Sequence, residues 1–159
     1  SMGDTMFVEK MSFKGLQKRS KKTEKNEKGR FKKKKRFGRT LSNRAPAMLV
    51  SCLERKLKYH GLKLNKVNTA KVKASQYNHV DDTYTKKPLN KRWHDFGGIK
   101  VQRDLYSSFL LMNMVDDKNL DKIDRDLCFK TFDLFLQHHD ELISKLKKEP
   151  HTLKSMGIR

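Results

Sequence analysis

The chain is poor in cysteine. Its 159 residues hold two, Cys52 and Cys128, and neither sits in a CxxC pair. A disulfide framework is therefore excluded. Long apolar runs are missing as well: none approaches the ~18–20 residues that span a bilayer. The N-terminus has no basic segment followed by an apolar one, so no secretory leader is read there, and Ser1-Met2 reads as the remnant of a cleaved tag. Acid is scarce, with 18 Asp and Glu against 38 Lys and Arg, a net charge of +20. That balance argues against an acidic, cofactor-filled metabolic enzyme. Apolar residues make up 35% and mean hydropathy is −0.88, so the core must be small. No GxSxG, P-loop, Rossmann glycine pattern or nucleophile–base pair is present. What remains is an intracellular, cytoplasmic protein that binds a polyanion, with no membrane partner.

The positive charge is localised. From Leu105 to Arg159 acids and bases balance at nine each, so Ser1 to Asp104 carries the whole excess. Lys18 to Arg39 holds thirteen Lys and Arg with only Glu24 and Glu27 between them. The candidates for gripping phosphate are Lys18, Arg19, Lys21, Lys22, Arg30, Lys32, Lys33, Lys34, Lys35, Arg36 and Arg39. The stretch has no apolar period and is expected to be disordered or loosely helical. A solvated tail is the bland alternative. Phe31 and Phe37 favour a nucleic-acid clamp, because aromatic rings stack on unpaired bases. Such a clamp would be salt-dependent and nearly sequence-blind.

Met6-Phe7-Val8 reads as the end of a strand. Leu41, Ala45, Met48, Leu49, Cys52, Leu53, Leu57 and His60 form one apolar stripe, which predicts a helix over 41–60. Ser42 or Asn43 would cap it, Pro46 fits its first turn, and Gly61 would end it. Cys52 is expected in the core. Leu62 to Val67 reads as a strand. Lys71 to Gly98 is polar and reads as a loop-rich insertion. From Val101 a buried helix is expected through Met114. A third helix is expected over 124–147, striped by Cys128, Phe129, Phe132, Phe135, Leu136, His139, Leu142, Ile143 and Leu146. The last nine residues are expected to fray.

Two acids invite attention. Glu9 follows the apolar run of the first strand, a place where a carboxylate can reach a metal at a sheet edge. Asp104 precedes the buried helix, where its bland role is to complement the helix dipole. Hard Mg²⁺ or Mn²⁺ takes oxygen ligands, and two such ions can support phosphodiester cleavage. Composition alone leaves both roles open. The segment 75–82 and the run Trp93-His94-Asp95-Phe96-Gly97-Gly98 hold His and Asp without Cys. A His/Asp zinc site is the minor reading there, and a loop held by Trp93 is preferred. His60, His138, His139 and His151 lack ligand spacing and are expected on surfaces or helix faces.

In their order, these pieces resemble the C-terminal part of TnpB-type transposon proteins, the RNA-guided nucleases related to type V CRISPR effectors. Residues 7–16, Phe-Val-Glu-Lys-Met-Ser-Phe-Lys-Gly-Leu, look like the second RuvC segment. Arg44-Ala45-Pro46 through Lys58-Tyr59-His60-Gly61 looks like the family helix ending Lys-x-x-Tyr-x-Gly. Lys73-Ala74-Ser75-Gln76 looks like the opening of the zinc-ribbon insertion. Val101 to Phe109, with Arg103-Asp104, looks like the third RuvC segment.

The resemblance implies an α/β fold: a partial RNase H-like (RuvC) domain, helix-rich, with few strands and three main helices. Its segments would be 1–17, the basic insertion 18–40, helix and strand at 41–70, a degenerate zinc ribbon at 71–100, the third segment at 101–115 and a C-terminal helix at 116–159. It implies Mg²⁺- or Mn²⁺-dependent DNA cleavage, with Glu9 and Asp104 as the second and third catalytic, metal-binding carboxylates and Arg103 near the scissile phosphate. The first Asp would lie in a missing N-terminal half, which makes the chain a fragment that binds more than it cuts. Partners would be DNA, a guide-type RNA, that missing half and another copy of the chain, in a prokaryotic, nucleoid-associated setting. Asn78 and Asp81 stand where the family's first CxxC pair falls, and Asp95 replaces one Cys of the second, so zinc is not expected. The competing expectations are a catalytically dead regulator of the same descent and an unrelated ribosomal-type RNA binder.

Overall fold

The computed structural model describes residues 5–18, 21–32, 34, 38–88, 90–115, 120–150 and 153–158. Over the described residues the chain is a helix-rich α/β protein, about 48% helix with few, short strands. It divides into two compact units. One comprises 1–5 and 10–64, the other 6–9 and 65–159.

The first unit holds α1 (Phe13–Gln17), α2 (Gly38–Arg44) and α3 (Pro46–Tyr59). One continuous helix over 41–60 is expected, yet the chain breaks at Ala45, which sits in the left-handed region at φ 42°. The cause is Pro46: its ring disfavours helical geometry in the residue before it, and it starts a new helix at its first position. Ser42 and Asn43 consequently lie inside α2 and cap nothing. The C-terminus follows expectation. Gly61 takes φ 70°, its N–H meets the Lys58 carbonyl at 3.1 Å, and the Leu62 N–H meets Leu57 at 2.9 Å. That pattern satisfies two of the helix's terminal carbonyls. The apolar stripe of α3, however, is not a core. None of its residues is fully buried, Met48 and Leu49 are 66% and 61% exposed, and Cys52 is half-buried. Where it is described, the basic stretch holds a turn over 24–32, and its last residue, Arg39, lies in α2. Asn26 Oδ1 accepts from the N–H groups of Lys28 and Arg30, Gly29 takes φ 73°, and Lys25 and Phe31 bridge across.

The second unit carries β1 (Met6–Glu9), which pairs with β2 (Leu64–Val67), then α4 (Thr69–Val72). Two antiparallel hairpins follow: β3 (Tyr77–Asn78) with β4 (Thr83–Tyr84), and β5 (Trp93–Phe96) with β6 (Ile99–Gln102). The segment 71–98 is thus more than loop. Three of its apolar residues, Val72, Ala74 and Tyr77, are buried in the core, while Val80 and Tyr84 are exposed. Val101 lies in β6, and the helix expected from it, α5, runs Arg103–Met112. The long helix α6 spans Arg125–Lys148 with Asp124 as its cap, close to expectation. Asp124 Oδ1 accepts from the Leu127 N–H at 2.9 Å, and Lys145, Lys147 and Lys148 oppose the dipole at the other end.

The core joins these elements. Tyr106, Phe109 and Leu110 of α5 meet Val67, Val101 and Cys128, with Phe7, Phe96, Phe132 and Phe135 packed around them. Phe109 and Phe135 stack at 4.5 Å between centroids. The chain end is not frayed where it is described. Lys154–Met156 form a 3-10 turn, Ile158 is buried, and the Gly157 carbonyl accepts from the Trp93 indole at 3.0 Å. His139, on the stripe of α6, is also buried, because α6 turns that face onto β6.

Candidate carboxylate pair and nucleic-acid interface

Glu9 is the last residue of β1, and β1 lies against α5, whose first turn carries Asp104. Phe7, two residues earlier, anchors β1 on the core around α5. Glu9 is half-buried, and this burial raises its pKa above the ordinary carboxylate value. A carboxylate so placed is stabilised in its charged form by a nearby cation. Asn65, on the paired strand β2, is buried with its Oδ1 lacking a partner among the described residues.

Asp104 is exposed, and its position is set by Gln102. The Gln102 side chain caps α5: Oε1 accepts from the N–H groups of Asp104 at 2.7 Å and Leu105 at 2.9 Å. Its Nε2 donates to Asp104 Oδ2 at 3.1 Å and to the Met156 carbonyl at 3.2 Å. The Gln102 N–H donates to His139 Nε2 at 3.0 Å, and His139 Nδ1 then donates to Asp140. Gln102 is fully buried, and its backbone and side chain together tie β6, α5, α6 and the C-terminal turn to one residue. The sequence offered one signal for it, a polar residue two positions before an acid at a helix start.

Arg103 is not at the surface. It is 8% exposed and its guanidinium donates to the Pro88 carbonyl at 3.2 Å. Among the basic candidates, Lys18, Lys21, Lys22, Arg30, Lys32 and Arg39 are exposed, and Lys34 is partly covered with its ammonium on the Lys21 carbonyl. Lys32 pairs with Glu24 at 3.4 Å. Phe31 is 69% exposed beneath the Lys25 ammonium. Arg19, Lys33, Lys35, Arg36 and Phe37 lie outside the described residues.

The two hairpins are closed by side chains at the positions where the resemblance placed metal ligands. Asn78 Nδ2 donates to Asp81 at 2.7 Å, and Asn78 Oδ1 accepts from the Val80 N–H at 3.0 Å. Asp95 Oδ1 accepts from the Gly98 N–H at 2.7 Å, across glycines at φ 64° and 104°. Two histidines beside these turns are buried. The Tyr106 hydroxyl accepts from the His79 N–H and donates to His79 Nδ1 at 2.7 Å. The Lys87 ammonium donates to His94 Nδ1. Burial holds both imidazoles neutral, with pKa values pushed down to about 4.

No family model matches this chain, and no curated protein or solved structure matches it. Among the described residues no group of three or more His, Cys, Asp and Glu converges as a metal site. Glu9 and Asp104 offer hard oxygen donors of the kind Mg²⁺ or Mn²⁺ takes, but two carboxylates do not make a complete site.

Proposed function

We propose that the chain binds nucleic acid and supplies two carboxylates, Glu9 and Asp104, to a RuvC-like, metal-dependent DNA endonuclease of transposon type. The observation that carries this reading is the placement of β1, ending in Glu9, against the helix whose first turn bears Asp104. The net charge of +20 supports the binding half of it. In this reading Gln102 is a positioning residue that holds Asp104, and Arg103 acts structurally through Pro88. The exposed basic residues of 18–39 grip phosphate. The centre is completed by a carboxylate that the described residues do not supply, and a guide-type RNA and DNA are the partners.

A cleavage assay on single-stranded and supercoiled DNA with Mg²⁺ or Mn²⁺, run beside a binding series in rising salt, tests this. Binding is expected to weaken steeply with salt. Any cleavage is expected to vanish in both Glu9→Ala and Asp104→Ala. Cleavage at the unaltered rate in either variant would overturn the carboxylate assignment. Binding without cleavage under every condition would favour the second reading, a catalytically inactive nucleic-acid-binding regulator. That reading is supported by the lack of a three-ligand group among the described residues.

A further inference from the structure

A cleft of about 720 Å³ opens between the β5–β6 hairpin and α6. Four cations line it: Lys91, Arg92, Lys100 and Lys147. Two acids line it too, and both are already engaged: Asp95 with the Gly98 N–H and Asp140 with His139 Nδ1. Trp93 lines the same cleft. Its indole is fixed by the hydrogen bond to the Gly157 carbonyl and by an edge-on contact with His139 at 6.1 Å between centroids. A ring held this way stacks on a ligand with little loss of freedom.

His94 also lines the cleft, but it is 2% exposed, and its Nε2, without a partner among the described residues, is closed to solvent. Because Lys87 donates to Nδ1, the proton of the neutral ring sits on Nε2. A buried N–H donor is thus left without an acceptor among the described residues.

We propose that this cleft binds a single-stranded segment of nucleic acid: a base on Trp93 and flanking phosphates on Lys91, Arg92, Lys100 and Lys147. The proposal rests on the nucleic-acid reading above and adds a second grip, separate from residues 18–39. Stacking selects an unpaired strand, since a duplex keeps its base faces occupied.

Trp93 is the sole tryptophan, so intrinsic fluorescence reports on this cleft alone. The probe is an oligothymidylate of about ten nucleotides, within the range a stacking groove accommodates. Its total binding is followed in parallel by anisotropy of a labelled copy. Trp93 quenching is expected to saturate along the anisotropy curve, and an equal-length duplex should quench far less. The double variant Lys100→Ala, Lys147→Ala should weaken the quenching-derived affinity about tenfold at low salt. Neutralising Lys21, Lys22, Arg30 and Lys32 should weaken overall binding but leave the quenching plateau intact. Anisotropy that rises while Trp93 fluorescence stays constant would overturn the cleft and leave the wider reading standing. Equal quenching by duplex, or by inorganic phosphate alone, would also overturn it. If neither signal changes with any nucleic acid, the nucleic-acid reading itself fails.

Discussion

Residues 1–5 and 10–64 carry twenty Lys and Arg against four acids, and none of their helical residues is fully buried. Residues 6–9 and 65–159 carry eighteen against fourteen and hold the aromatic cluster around Tyr106 and Phe109. The two units therefore obey different physics. The first is shaped by local rules, namely Pro46 at a helix start, Gly61 at its end and Asn26 at a turn, with little buried area behind them. The second is shaped by packing, where each large ring excludes water from several others. The difference teaches that amphipathic spacing is not burial. The stripe of α3 is as regular as that of α6, yet only α6 places residues, Cys128, His139 and Ile143, fully inside.

That contrast can be broken most directly by truncation. Phe109→Ala is expected to destabilise by about 3–5 kcal/mol, because a buried ring leaves a cavity. Leu57→Ala on α3 should cost well under half as much, since its side chain is only partly covered. Equal losses in denaturant melts would erase the distinction.

Acid should separate the units next. His79 and His94 are held near pKa 4 against an ordinary 6.5, so between these values the unfolded chain binds protons that the folded chain refuses. Stability is then complete above about pH 6.5 and falls as pH drops toward 4, by at most ~3 kcal/mol per histidine. Denaturant midpoints measured from pH 7 to 4.5 check this, with tryptophan emission reporting the second unit. A flat profile would show that neither imidazole is held neutral by the core.

Smaller effects sharpen the picture. Asn78→Ala removes the bond to Asp81 and the turn's acceptor for Val80, and should cost about 1 kcal/mol in the second unit. The smallest stability effect is expected from Lys→Gln changes at Lys21, Lys22 and Lys32, within about 0.5 kcal/mol. Each should nevertheless lower the salt slope of nucleic-acid binding by about 0.7–0.9. Unchanged slopes would identify the basic stretch as a solvated surface.

Much of the secondary structure was legible in the residues themselves. The Met6–Val8 strand, the strand ending at Val67, the Gly61 stop and the Asp124 start each announce themselves through local chemistry. So did the segregation of charge, and the positions of Glu9 and Asp104 at the ends of apolar elements. Local rules also misled where a neighbour overrode a period. Pro46 splits the helix that the apolar spacing drew as one piece, because its ring acts on Ala45 whatever the stripe demands. Tertiary structure alone decided which polar residues went inside. Gln102, His79 and His139 meet partners distant in sequence, Met156, Tyr106 and the Gln102 N–H itself, and His94 meets Lys87 seven positions away. Most buried polar groups have such partners, and no window of neighbouring residues reveals a partner 54 positions away. Sequence determined where charge lies and where helices begin and stop; only the packing of α5 and α6 against the hairpins decided that three histidines became interior.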